Sequence, residues 1–291
     1  MTYKRLVSLT VLMVANSLVV AVPVPSRQAA SLLEELEGVV AIRDVDYIAG
    51  KDYAEDKDKL DVFMPEGAAG VPVIVFFHGG ALLYGDKSHG EVLAKRFVPE
   101  RIGVVSANYR LSPGVMHPAH IQDAAAAFAW VIRNIERYGG DPKRVYVSGH
   151  SAGAYLATLM ALDPAHLAAH GLGLDAVRGT IAISPFLYVE ETAKDRPKTV
   201  WGKDPVEWMK ASVTPHIERG KGPMLLIYAD GDDEWRKGQN DTFGKAMRAA
   251  GNSDIRVMEI RNRDHGTLMS QMNTADDQIG ELVLGFIRQS E

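Results

Sequence analysis

The sequence predicts an α/β protein, a mostly parallel eight-stranded sheet with helices on both faces. Short, nearly continuous apolar runs recur along the chain, as expected of strands buried on both faces. Segments with helical periodicity separate them, and strand–helix alternation favours parallel pairing. The chain of 291 residues, 46% hydrophobic and 24% charged, is long enough for one such domain with a large core.

Each element follows from its residues. Residues 29–37, AASLLEELE, read as a short amphipathic helix. Val39–Ile48 and Lys59–Met64 read as strands, the second ending at the Pro65-Glu66-Gly67 turn. Between them, the mixed charges from Asp52 to Asp61 read as a solvated loop. Val71–Phe77, VPVIVFF, is the clearest doubly buried strand. Ile102–Ala107, Val145–Ser148, Gly179–Ile183, Met224–Tyr228 and Ile255–Ile260 complete the set. Helices are expected over His89–Val98, Ile121–Tyr138, Ala152–Leu162, Asp241–Ala250 and Asp276–Gln289, the second stopped by Gly139-Gly140. Asp123 stands near a helix start, where the dipole favours a carboxylate, and Asp141-Pro142 reads as a turn before a strand. Residues 184–222 break the alternation. Pro185, Pro197, Pro205, Pro215 and several aromatic residues mark a cap insertion with one short helix over Pro205–Ala211.

The N-terminus speaks to compartment. Lys4 and Arg5 precede an apolar run from Leu6 to Val22, and Val19-Val20-Ala21 offers small residues for cleavage. This pattern predicts a signal peptide over residues 1–21 and a secreted or periplasmic protein, with an uncleaved N-terminal anchor as the alternative. Residues 22–38 would then lead into the cap, and residues 39–291 would form the catalytic domain. No stable membrane span is expected after cleavage. A formal net charge of -5 and a sequence pI of about 6.0 lack the basic footprint of a nucleic-acid binder. With no cysteine, the chain has no disulfide, no thiolate catalysis and no cysteine-ligated zinc.

Two motifs carry chemistry. Gly149-His150-Ser151-Ala152-Gly153 follows a predicted strand and opens a predicted helix, the setting of a nucleophile elbow. His78-Gly79-Gly80-Ala81 follows Val71–Phe77. Alone it is a tight turn; paired with the elbow, it aims the backbone N–H groups of Gly80 and Ala81, with that of Ala152, at a developing oxyanion. A serine nucleophile needs an acid and then a histidine, each after a later strand. Asp230, Asp232 and Asp233 follow one such strand, and His265 follows the next. His265 is the only histidine beyond the acidic loop.

Together with Asn108-Tyr109-Arg110-Leu111-Ser112-Pro113, His117-Pro118-Ala119 and Tyr138-Gly139-Gly140-Asp141-Pro142, these motifs resemble the α/β-hydrolase superfamily. Within it, the chain is similar to the hormone-sensitive-lipase-like carboxylesterases and to the isoprenylcysteine-methylesterase-like and kynurenine-formamidase-like enzymes. The likeness covers residues 39 to 290. It implies an α/β-hydrolase fold and a Ser151–His265–acid triad cleaving carboxylic esters of short to medium chain. The family pattern from Pro223, and again from Gln239 ahead of the next helix, puts the acid on Asp232, with Asp233 as runner-up. Asp230 then reads as a turn residue. Two positions depart from the pattern: Ala81 replaces a third glycine, and His150 stands where many relatives carry an acid. The same triad would serve an amidase, formamidase or peptidase, and the fold also supports non-catalytic small-molecule receptors. No metal or organic cofactor is required. Leu82, Leu83, Phe186, Tyr188, Trp201 and Trp208 are candidate walls of an apolar substrate pocket, or else core.

Overall fold

The computed structural model describes residues 37–192 and 196–290. The expected signal peptide, and all but the last residue of the helix expected over 29–37, lie outside the described residues. The strands are β1 (Val39–Asp46), β2 (Lys59–Pro65), β3 (Val71–Phe77), β4 (Gly103–Ala107), β5 (Gly140–His150), β6 (Gly179–Ile183), β7 (Met224–Ala229) and β8 (Ile255–Ile260). They form one sheet in the order β1-β2-β4-β3-β5-β6-β7-β8. β2 pairs antiparallel with both β1 and β4, and every other pairing is parallel. The helices are α1 (Glu91–Phe97), α2 (Ala119–Asn134), α3 (Ala152–Leu162), α4 (Pro164–Ala168), α5 (Arg196–Val200), α6 (Pro205–Ala211), α7 (Glu234–Ala249), α8 (Thr267–Ser270) and α9 (Gln278–Gln289).

The apolar run of β3 explains the layering. Side chains alternate across a strand. Val73, Val75 and Phe77 join the core beneath α2 and α3, while Ile74 and Phe76 join the opposite core beneath α1 and α9. Burying each such side chain is worth roughly 1.5–3 kcal/mol, so a strand apolar on both faces is held in a three-layer sandwich. α3 is apolar all round, and every one of its residues is buried. It lies so close to β3 that a Cβ on Gly153 would come within 1.9 Å of the Phe77 carbonyl oxygen.

Four local expectations are corrected. β5 starts at Gly140, so Asp141-Pro142 lies inside the strand; Gly140 pairs with Val71, and the ladder shifts register before Val73, where a proline is tolerated. α7 starts at Glu234 rather than Asp241, which puts Gln239 inside it. Its first turns face the protein with buried Arg236, Gln239 and Asn240, so apolar periodicity does not mark them. The stretch from Asp52 to Asp61 is not wholly solvated. Asp58 and Asp61 are buried, and Asp61 takes Arg43 and Lys87 as ion-pair partners. Asp123 sits a full turn inside α2 and accepts both Nε and Nη2 of Arg110, at 2.7 and 2.8 Å, and its backbone N–H. It clamps the Asn108–Pro113 segment rather than answering a helix dipole.

Candidate active site

The parallel order β3-β5-β6-β7-β8 brings five chain segments together at the carboxyl ends of these strands. They carry His78-Gly79-Gly80, Ser151, Ser184, Asp232 and His265 in turn. Such strand ends are where open α/β sheets place their ligands.

Ser151 bridges β5 and α3 with φ 54° and ψ -113°, a left-handed φ that a non-glycine residue rarely adopts. Its N–H donates to the Ile183 carbonyl at 2.8 Å, which anchors the turn to β6. Close packing permits the turn. A Cβ on Gly149 would meet the backbone of Gly153 at 2.2 Å. Ala152 is the first residue of α3, so its N–H is one of the unpaired donors of a helix start. Beside it, Gly80 has φ 110°, and a Cβ there would run into the Tyr84 carbonyl. Ala81 holds φ 59° despite its side chain. Among the described residues, no hydrogen bond takes up the N–H of Gly80 or of Ala81.

The oxyanion-loop candidate is buttressed from below. His78 is fully buried, and its ring stacks on Tyr109 at 4.3 Å. The Tyr109 hydroxyl donates to the His78 carbonyl, and His78 Nδ1 donates to that of Gly79. Burial pushes the His78 pKa down to about 3, so the ring is neutral. The Asn108-Tyr109-Arg110 motif therefore acts on this loop through Tyr109.

At the other end of the site, His265 Nδ1 lies 2.8 Å from Asp232 Oδ1. The Asp232 side chain is 1% exposed and that of His265 is 38% exposed, so the ring opens to solvent while its acid does not. Burial would raise the Asp232 pKa, but hydrogen bonds from His265, the Ala229 N–H and Ser184 outweigh it and hold the carboxyl below its ordinary value. An ionised carboxylate only accepts, so Nδ1 carries the proton and Nε2 is free to take one. Among the described residues no hydrogen bond joins Asp233 to His265; it precedes α7 and accepts from Trp235 Nε1 at 3.2 Å. Asp230 is more than a local turn residue. It accepts the N–H groups of Asn262 and Arg263, tying the acid loop to the histidine loop.

The elbow touches the histidine loop through His150. Its Nε2 donates to the His265 carbonyl at 2.9 Å, and the two rings lie 4.6 Å apart. Burial, with His265 beside it, pushes the His150 pKa down to about 3. The structure gives no hydrogen bond between Ser151 Oγ and His265 among the described residues.

Residue periodicity pointed to neither Ser184 nor Arg236. Ser184 Oγ donates to Asp232 Oδ2 at 2.8 Å and lies 2.9 Å from His265 Nδ1. Arg236 donates to the Ser184 carbonyl at 2.8 Å, with its Nε 3.7 Å from Asp232. The one available signal was position, since Ser184 directly follows a strand neighbouring the elbow.

The candidate pocket walls divide. Leu82, Phe186, Tyr188 and Trp201 belong to the core, where Phe186 stacks on Tyr155 at 4.6 Å and Trp201 meets both rings edge-on. Trp208 packs partly buried against that core, while Leu83 stands exposed on the oxyanion-loop side. The Phe186–Tyr188 segment is stapled to α7 by Gln239, which accepts from the Leu187 and Tyr188 N–H groups. An apolar cavity of about 600 Å³ lies at the far end of α3, lined by Asp163, Pro205, Val206, Met209 and His216, and touches none of the candidate walls.

The chain is similar to known esterases. The chain is 30% identical over 227 residues to the esterase LipQ of Mycobacterium tuberculosis, covering 71% of this chain and 53% of LipQ. It is 28% identical over 225 residues to the isoprenylcysteine alpha-carbonyl methylesterase ICME of Arabidopsis thaliana, covering 68% and 51%. The chain thus spans about half the length of the curated relatives it matches. An esterase from Pyrobaculum calidifontis superposes with a TM-score of 0.71 at 19% identity, covering 88% of this chain and 87% of that one. The propionate-bound esterase Est2 of Thermogutta terrifontis superposes with a TM-score of 0.69 at 23% identity, covering 88% and 95%. The sheet order and these superpositions are those of an α/β-hydrolase, and the BD-FAE family model matches residues 60–247; the chain belongs to the BD-FAE family.

Proposed function

We propose that this chain is a serine carboxylesterase acting on carboxylic esters of short to medium chain. The observation that carries the reading is the His265–Asp232 hydrogen bond, set at the sheet end that also holds the strained Ser151 turn. In this mechanism His265 Nε2 takes the Ser151 hydroxyl proton as Oγ attacks the ester carbonyl. The N–H groups of Gly80, Ala81 and Ala152 receive the oxyanion. Collapse expels the alcohol, which takes the proton from His265 and leaves acyl-Ser151. Water, deprotonated by the same imidazole, then releases the acid and restores the serine. The esterase relatives support the reaction class.

The test is hydrolysis of p-nitrophenyl esters of increasing acyl length, beside N-formyl and peptide substrates. Turnover should peak at esters of short to medium chain and vanish in Ser151→Ala, and a fluorophosphonate should label only the wild type. Wild-type turnover in Ser151→Ala, or a preference for peptides, would remove the reading.

A further inference from the structure

We propose that Ser184 is a positioning residue for the acid–histidine pair, its hydroxyl closing a three-membered hydrogen-bond ring with Asp232 and His265. This rests on the serine-hydrolase reading above. The geometry assigns each proton. Ser184 Oγ–H donates to Asp232 Oδ2 at 2.8 Å. The imidazole Nδ1–H lies between Asp232 Oδ1 at 2.8 Å and the lone pairs of Ser184 Oγ at 2.9 Å, and is shared by both. With the Asp232 contact alone, the imidazole could swing about a single hydrogen bond. A second acceptor holds its plane, and the bond to Oδ2 stops the carboxylate from rotating away.

The backbone around Ser184 is built to present this hydroxyl. Ser184 has φ 51°, a left-handed conformation at the end of β6 that a serine adopts at a cost. Its N–H donates to the Ile227 carbonyl at 2.6 Å, and its own carbonyl accepts Arg236 Nη1 at 2.8 Å. Ser184 is fully buried, so its hydroxyl meets these partners without competition from solvent. A glycine would suit the φ better, and only the side chain supplies the contact with both partners.

The test compares Ser184→Ala and Ser184→Gly with Ser151→Ala. Glycine relieves the backbone strain while removing the hydroxyl, which separates the two roles. Both Ser184 variants should fold, show kcat for p-nitrophenyl acetate lowered about tenfold, and keep KM within about twofold of wild type. The downfield NMR resonance of the His265 Nδ1 proton should shift and exchange faster with water in both. Wild-type kcat in Ser184→Gly, or an unmoved Nδ1 resonance in either variant, would overturn the proposal. In those cases the loss of turnover in Ser151→Ala would leave the serine-hydrolase reading standing; turnover that survives Ser151→Ala would remove both.

Discussion

The two halves of the site are held by different physics. On the β3–β5 side, Gly80, Gly149 and Gly153 bring backbone against backbone, and His78 and Tyr109 stack beneath the loop. Shape comes from close packing, with no room for an added atom. On the β7–β8 side, Asp232, His265, Ser184 and Asp230 are joined by side-chain hydrogen bonds between loops far apart in the chain. Shape there comes from charge and proton placement. The first half should therefore fail as a fold and the second as a catalyst.

The largest effect is expected in the packed half. Gly153→Ala puts a Cβ within 1.9 Å of the Phe77 carbonyl oxygen and 2.6 Å of that of His78, both backbone atoms that cannot rotate aside. Overpacking of this kind costs about 1–3 kcal/mol where neighbours can move, and more where they cannot. The variant should yield little soluble protein and a broadened thermal transition. A well-folded Gly153→Ala with normal turnover would show that α3 can slide away from β3, and the contrast would lose its first term.

In the hydrogen-bonded half, Asp232→Asn should still fold, with a somewhat lower thermal transition, and lower kcat/KM by about 10³-fold, because the amide no longer favours the Nδ1–H tautomer. Asp233→Asn should stay within about twofold, since its carboxylate reaches Trp235 and not His265. Equal losses in the two would mean that the acid is not held by the register seen here.

Acid should divide the halves more finely. His78 and His120 are fully buried, and burial pushes both pKa values down to about 3. Unfolded histidine titrates near ~6.5, so between these values the unfolded chain binds more protons and stability falls as pH drops. From pH 7 to pH 5 each histidine should remove about 2 kcal/mol, read as a falling urea midpoint. His120→Gln should flatten that slope. Asp232 has the opposite chemistry. Its depressed pKa contributes stability above the ordinary carboxylate value near ~4, lost only as pH falls below it. A urea midpoint level between pH 7 and pH 5 would show that the buried histidines protonate without opening the packed half.

Taken alone, the sequence determined the parallel sheet, the elbow at Ser151, the glycine loop after β3 and the loops that carry the acid and His265. Each is written in contiguous residues. An apolar run can only be a buried strand or helix, and a glycine pair at a strand end answers to local backbone geometry. What spans distant segments needed the tertiary structure. Three aspartates follow β7 within four residues; the residues alone left them open and the family resemblance put the acid on Asp232, and it is Asp232, in the turn closed by its N–H on the Ala229 carbonyl, that bonds His265. Asp230 crosses to the histidine loop, and Asp123 turns from a helix-start residue into the clamp on Arg110. Ser184 carries no signature beyond its place after β6, because a serine before a proline says nothing about a carboxylate 48 residues away. Local patterns encode burial and turns, whereas a hydrogen bond between loops depends on strand order, which this chain decides only by folding.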